Sequence, residues 1–247
     1  MLRTVVLIAL VTMCALAANT SNGTDLLIKE ADTLKLNGTT YRLDGIDAPE
    51  LDQVCLDEHG AVWRCGADAR DRLTEHIGTR DVRCDDRGAD AAYRERRIGI
   101  CTVEGDSSTI NQWLVREGLA LNFDPYARGR YQGDQADAQE NRRGLWKGCF
   151  VAPWDFRHWR KRTAPLMGSC PDAATARNVV FPDDAEMPPE CSIKGTAAVR
   201  ARITGYGGIY HLEGCRSYRT VRRVNRWFCS EEDAKAAGFR KAFTCPR

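Results

Sequence analysis

Histidine is scarce in this chain. The four residues His59, His76, His158 and His211 are scattered through 247 positions with no HxxxH or HExxH spacing. A histidine-ligated zinc hydrolase is therefore a poor starting hypothesis. No repeat or low-complexity tract is present, and the composition, 43% hydrophobic and 28% charged, is that of an ordinary globular protein. This excludes disordered and collagen-like chains. Long apolar runs are also lacking. The run from Val5 to Leu16 is too short to span a bilayer comfortably, which excludes a multi-span membrane protein. Net charge is only +2, so the chain as a whole does not announce a polyanion binder.

Cysteine is the opposite case. Eleven in one chain is unusual for a reducing cytosol. The N-terminus offers a reason. A short basic start (Met1–Arg3), the apolar run and the small-x-small triplet Ala15-Leu16-Ala17 read as a secretory signal over residues 1–17. Its removal deletes Cys14 and leaves ten cysteines, an even set suited to disulfides. The mature protein is then expected to be periplasmic or secreted, with no membrane span, and monomeric.

Residues 24–162 read as one unit. Leu26 to Leu43 forms a hairpin about Asn37-Gly38, the favoured type I′ pair, with Leu34, Leu36, Tyr41 and Leu43 on one core face. Helices are expected over Ala67–Ile77, over Thr109–Glu117 closed by Gly118, and over Gln132–Arg143 closed by Gly144. Strands are expected over Val82–Cys84 and Ile98–Val103. This mixture is α+β, and short curved strands with about three helices suit a small barrel of the OB type. Residues 163–190 hold five prolines and read as a linker. Residues 191–247 form a second, small α+β unit.

Charge divides at that boundary. Residues 18–190 carry 23 Lys/Arg against 30 Asp/Glu, a net −7; residues 191–247 carry twelve against four, a net +8. A basic module of this kind can hold a polyanion through phosphate contacts.

The first hairpin gathers chemistry. Asp32, Arg42, Asp47 and Glu50 lie on it or on the loop after it. Carboxylates are hard oxygen ligands for Ca²⁺ or Mg²⁺, an arginine fork matches phosphate oxygens, and a spare carboxylate can orient or deprotonate water. Together they suit metal-assisted attack on a phosphodiester. Strict alternation, however, puts Asp32 in phase with the core residue Leu34, while Arg42 points away. A buried unpaired carboxylate is costly, so Asp32 should sit at a strand end where a bulge or twist turns it toward the loop.

The runs Ala31-Asp32-Thr33-Leu34-Lys35-Leu36 and Tyr41-Arg42-Leu43-Asp44-Gly45-Ile46-Asp47-Ala48-Pro49-Glu50 resemble the thermonuclease family, typified by micrococcal nuclease. The resemblance continues through Trp63-Arg64-Cys65-Gly66, Arg96–Val103, Trp113–Ala120 and Gly144-Leu145-Trp146. It implies an OB-fold nuclease that cleaves DNA and RNA with Ca²⁺. It further implies that Asp32, Asp47 and the backbone carbonyl of Ala48 hold the metal. Arg42 and Arg96 would clamp the phosphate, and Glu50 would stand beside the attacking water. The sequence departs from the family at Glu30-Ala31 and at Arg94-Glu95, where Asp-Gly and Tyr-Gly are usual. Those departures support a rival reading, a nucleic-acid-binding OB protein that has lost hydrolysis. A disulfide-rich envelope interaction protein is a third.

Residues 191–247 resemble a sunset-type module attached to exported nucleases, and also the small zinc module of the Ada DNA-repair protein. Only Cys245 stands where the latter closes with Cys-x-x-Cys, so disulfides are expected rather than zinc. Proximity in the implied fold suggests the pairs Cys55–Cys65, Cys84–Cys101, Cys149–Cys170, Cys191–Cys229 and Cys215–Cys245.

Overall fold

A computed structural model describes residues 24–91, 93, 95–170, 172–198 and 207–246. The signal and leader read from residues 1–23, and Arg94, lie outside the described residues.

The chain starts with three antiparallel strands, β1 (Leu26–Glu30), β2 (Thr33–Leu36) and β3 (Thr39–Leu43). Asn37 and Gly38 turn β2 into β3 with φ of 48° and 83°, the two left-handed residues that a type I′ turn requires. The register between β1 and β2 slips between Ile28 and Glu30. Asp32 therefore lies in the tight turn at the end of β1, outside the regular alternation.

After β4 (Ile46–Asp47), β5 (Cys55–Leu56) and β6 (Val62–Trp63) comes α1 (Cys65–Ile77). Cys65, Ala69, Leu73 and Ile77 recur every fourth residue and are all buried, giving α1 one apolar stripe. Strands β7 (Val82–Ala89) and β8 (Arg96–Val103) pair antiparallel, and β8 runs parallel to β3. The first sheet has the order β1-β2-β3-β8-β7. Helix α2 (Ile110–Arg116) begins where the Thr109 side chain accepts from Gln112 N, and ends before Gly118 at φ 67°.

Strand β9 (Leu121–Asn122), α3 (Asp124–Ala127) and α4 (Gln132–Glu140) follow. β9 pairs with β4, Asp47 facing Leu121, and so anchors the Asp47 end of the loop. Leu34, Leu43, Leu73, Val103 and Leu114 are among the buried side chains of the core between sheet and helices. The architecture is α+β with five disulfides; among the described residues the strand pairing forms four sheets and no closed barrel.

The segment read as a linker is folded. Strand β10 (Cys149–Val151) and α5 (Pro153–Arg157) precede it; β11 (Leu166–Gly168) and α6 (Ala173–Val180) lie within it. β11 pairs with β10, and α6 buries Ala176 and Val180 against Leu56, Cys149, Val151 and Phe156. The prolines suggest an open tether, but none interrupts either element.

The last unit is a four-stranded sheet, β14-β12-β13-β15, made from β12 (Ile193–Ala197), β13 (Gly208–His211), β14 (Arg226–Phe228) and β15 (Phe239–Lys241). Helix α7 (Glu231–Ala236) is capped by Ser230. Leu51 and Ala67 of the first unit share a buried cluster with Cys191, Val224 and Trp227. The disulfides are Cys55–Cys65, Cys84–Cys101, Cys149–Cys170, Cys191–Cys229 and Cys215–Cys245. The last two occupy the cysteines that a zinc site in this unit would need.

Candidate active site

Strand geometry places the two arginines. In the parallel β3–β8 pair, Thr40 faces Arg96 and Arg42 faces Ile98. Positions 40, 42, 96 and 98 therefore share one sheet face, by the two-residue alternation of strands. Arg42, Arg96 and Ile98 line an open cleft of about 440 Å³ on that face, together with Asp47, Asp90 and Tyr93. Phe123, Tyr126, Trp154 and His158 form an aromatic wall of the same cleft. Trp154 packs on His158 at 4.0 Å and on Phe123 at 5.7 Å between ring centroids.

The structure brings Asp32, Arg42, Asp47 and Glu50 together. One nitrogen, Arg42 Nη2, lies 2.9 Å from Asp32 Oδ2 and 2.9 Å from Asp47 Oδ1. Ala48 N donates to Asp32 Oδ2 at 2.8 Å, fixing the turn after β1 against the loop after β4. Desolvation raises the Asp32 carboxyl above its ordinary range; Arg42 opposes this and Asp47 adds to it. Glu30, the altered position before the turn, is raised further, by desolvation first and then by repulsion from Glu50 and Asp233.

Glycine makes this assembly possible at two points. Gly45 turns β3 into β4 at φ 74°. Gly66, at the start of α1, lies so close to Glu50 that a Cβ there would stand 1.8 Å from the Glu50 carbonyl oxygen.

Two arginines not expected from the sequence complete the cluster. Arg157, at the end of α5, donates from Nε to Glu50 Oε1 at 2.7 Å and from Nη2 to Asp47 Oδ1 at 2.8 Å. Arg226, on β14, forms a two-pronged pair with Asp52: Nε to Oδ2 at 3.0 Å and Nη2 to Oδ1 at 2.6 Å. Its Nη2 also stands 3.5 Å from Glu50 Oε2. Desolvation, the largest influence on Glu50, pushes its carboxyl up; Arg157, Arg226 and Arg42 together outweigh it and hold Glu50 below the usual glutamate range. Each new arginine adjoins aromatic residues in sequence, Trp154-Asp155-Phe156-Arg157 and Arg226-Trp227-Phe228. A charge beside such apolar residues is the signal that could have marked them as buried and paired.

Arg96 is held apart from this network. Its Nε and Nη2 both contact Asp90 Oδ2 at 2.7 Å, and its guanidinium lies 4.8 Å from the Tyr93 ring centre. Arg94-Glu95 thus does not deprive the cleft of a tyrosine, because Tyr93 supplies one from a position further upstream.

Two buried carboxylates converging on a single cationic nitrogen are a hard-oxygen donor pair, and that chemistry fits Ca²⁺ or Mg²⁺. Among the described residues no group of three or more His, Cys, Asp or Glu side chains is arranged to hold a metal. Asp32 and Asp47 are the pair that would hold such an ion, with Ala48 adjoining both.

Residues 40–148 match the family model described as Staphylococcal nuclease homologue, so this part of the chain carries a staphylococcal nuclease-like domain. A stretch of 119 residues is 35% identical to the succinoglycan biosynthesis protein ExoI of Rhizobium meliloti (strain 1021). That alignment spans 48% of this chain and 61% of the relative. Arg157 and Arg226 both lie beyond the segment that the family model matches.

Proposed function

We propose that the protein is an exported, Ca²⁺-dependent nuclease that hydrolyses phosphodiester bonds of DNA or RNA in the Arg42–Arg96 cleft. The observation that carries this reading is the buried ion-pair network of Asp32, Asp47, Glu50, Arg42 and Arg157, of which Arg42 and Asp47 open, with Arg96, onto one cleft. The nuclease-homologue match supports it, and a five-stranded open sheet is compatible with a partly open OB barrel. Five disulfides, with no helix among the described residues long and apolar enough to cross a membrane, are compatible with export.

In this mechanism the two arginines clamp non-bridging phosphate oxygens from adjacent strands. Each is worth several kcal/mol if its donors strengthen as charge develops. Glu50 orients the attacking water and draws its proton. A bound divalent cation on Asp32 and Asp47 would supply charge neutralisation. Tyr126 and Trp154 are 66% and 38% exposed and offer ring faces to a base flanking the phosphate.

One observation favours the non-catalytic alternative. Arg157 approaches Glu50 Oε1 through both Nε and Nη2, and the carboxyl is held low, which weakens it as a base. The test is digestion of plasmid and RNA by the mature protein with Ca²⁺ and then with chelator, with succinoglycan as a third substrate because of the relative's name. Chelator-sensitive cleavage of nucleic acid is expected. Tight nucleic-acid binding with no cleavage in any metal would select the alternative.

A further inference from the structure

We propose that Arg226 is a positioning residue of the candidate active site, so that the C-terminal module completes the catalytic centre besides covering the first unit. The proposal rests on the nuclease reading above. Arg226 is 1% exposed, and its guanidinium sits between the rings of Phe156 and Phe228, 4.6 Å and 4.7 Å from their centres. Its donors go to three places, all belonging to the supports of Glu50. The fork holds Asp52, two residues after Glu50. Nη1 donates to the backbone carbonyl of Arg157 at 3.3 Å. Nη2 faces Glu50 itself.

The neighbouring Trp227 N also donates to Asp52, at 3.1 Å, so the Asp52 carboxylate is satisfied almost wholly from β14. One strand of the C-terminal unit thus fixes both the loop that carries Glu50 and the helix end that carries Arg157. A second observation points the same way. Ala236, on α7, lines the cleft beside Arg42 and Arg96.

Docking alone would not require this arrangement. A buried ion pair is a weak source of stability, because desolvating both charges offsets their attraction; apolar residues of similar volume often serve as well or better. What the pair does provide is geometry. A bidentate arginine–carboxylate contact fixes direction as well as distance, and a catalytic group displaced by about 1 Å can lose about a hundredfold in rate. The Lys29–Glu232 pair also joins the two units, but at 3.6 Å on a half-exposed surface, with no contact to Glu50.

The test uses the full-length protein with Arg226→Lys, the paired apolar replacement Arg226→Met/Asp52→Leu, and Lys29→Gln as the docking control. The readouts are melting temperature, kcat and KM on a short oligonucleotide, and hydrogen exchange of the amides from Asp47 to Gln53. The double variant removes both buried charges at once and is expected to stay folded, with kcat down about 10- to 100-fold and KM within about threefold. Its Asp47–Gln53 amides should exchange faster, whereas Lys29→Gln should match the wild type in all three readouts. If the double variant does not fold, Arg226→Lys carries the test, because it keeps the charge and loses the fork; about a tenfold fall in kcat is expected. A folded variant with wild-type kcat overturns the proposal. If the wild type cleaves nothing, the nuclease reading has failed, and exchange at Asp47–Gln53 decides positioning alone: unchanged protection in the folded variant overturns it.

Discussion

The nuclease-homologue segment and the 100 or so residues after it solve different problems with arginine. In the first, Arg42 and Arg96 project from adjacent strands into an open cleft. In the second, Arg157 and Arg226 are buried, and each directs its donors to acidic residues of the first. The first pair lines the open cleft, where in the proposed function it would meet a ligand; the second pair holds the acidic residues behind it. The difference bears on how a segment with a net charge of −5 over residues 40–148 keeps Asp47, Glu50 and Asp52 close to one another and to Asp32. Their repulsion is relieved by Arg42 from within the segment and by Arg157 and Arg226 from further along the chain.

The largest expected effects fall on the cleft pair. Arg42→Lys and Arg96→Lys should each lower turnover about 10²- to 10³-fold while leaving the melting temperature nearly unchanged, because lysine lacks the fork. Steady-state kinetics beside a thermal melt checks this. Equal activity in both variants would remove the distinction between acting and supporting arginines.

Arg157, buried between two carboxylates, should show its effect in stability. Arg157→Met leaves Asp47 and Glu50 without their shared partner and should destabilise the fold by about 3–5 kcal/mol at neutral pH. The pH dependence has a definite sign. Glu50 is held below its unfolded value, so it contributes stability that is present above the unfolded pKa and lost as pH falls through the folded one. Denaturant titrations should therefore show the gap between wild type and Arg157→Met narrowing in acid. A gap that widens would mean that Glu50 is not the partner that matters.

Much of the first region was legible because its signals are local. Asn37-Gly38 fixes a turn, Thr109 and Gly118 bracket a helix, and the hairpin sets Cys84 directly opposite Cys101. Asp32 was a conflict in the pattern, and the slipped register and tight turn resolve it. The second region hid its logic because it is long-range. Nothing near position 226 indicates a partner at Asp52, 174 residues earlier. Prolines masked β11 and α6. The basic excess of the last unit was visible, but its most consequential arginine is one that never reaches the surface.

That distinction changes how the basic surface should be tested. Deleting residues 191–247 would strip Arg226 from Asp52 and uncover Leu51 and Ala67, and so would mix two effects. Arg216, Arg219, Arg222 and Arg223 are exposed on the segment between β13 and β14. Changing all four to Gln should weaken binding of long nucleic acid. The slope of log affinity against log salt should flatten by about 0.7–0.9 for each phosphate that the variant no longer neutralises. Turnover on short oligonucleotides should stay within about twofold. An unchanged salt slope in fluorescence-anisotropy titrations would show that the +8 charge does not meet substrate.

The smallest effects compare helix caps across the two regions. Thr109→Ala and Ser230→Ala each remove an accepting hydroxyl from a helix N-terminus and should each cost about 1 kcal/mol. If the two regions unfold as one cooperative body, both variants shift a single melting transition. Two transitions, each moved by only one variant, would separate the regions.

The most direct test of the account is release of nucleotides from single-stranded DNA by the wild type and by Glu50→Gln, measured together in Ca²⁺ and again in chelator. Chelator-sensitive hydrolysis by the wild type is expected, with a loss of at least about a hundredfold in Glu50→Gln, because glutamine cannot take the proton of the attacking water. Wild-type turnover in Glu50→Gln, or hydrolysis that survives the chelator, would contradict it.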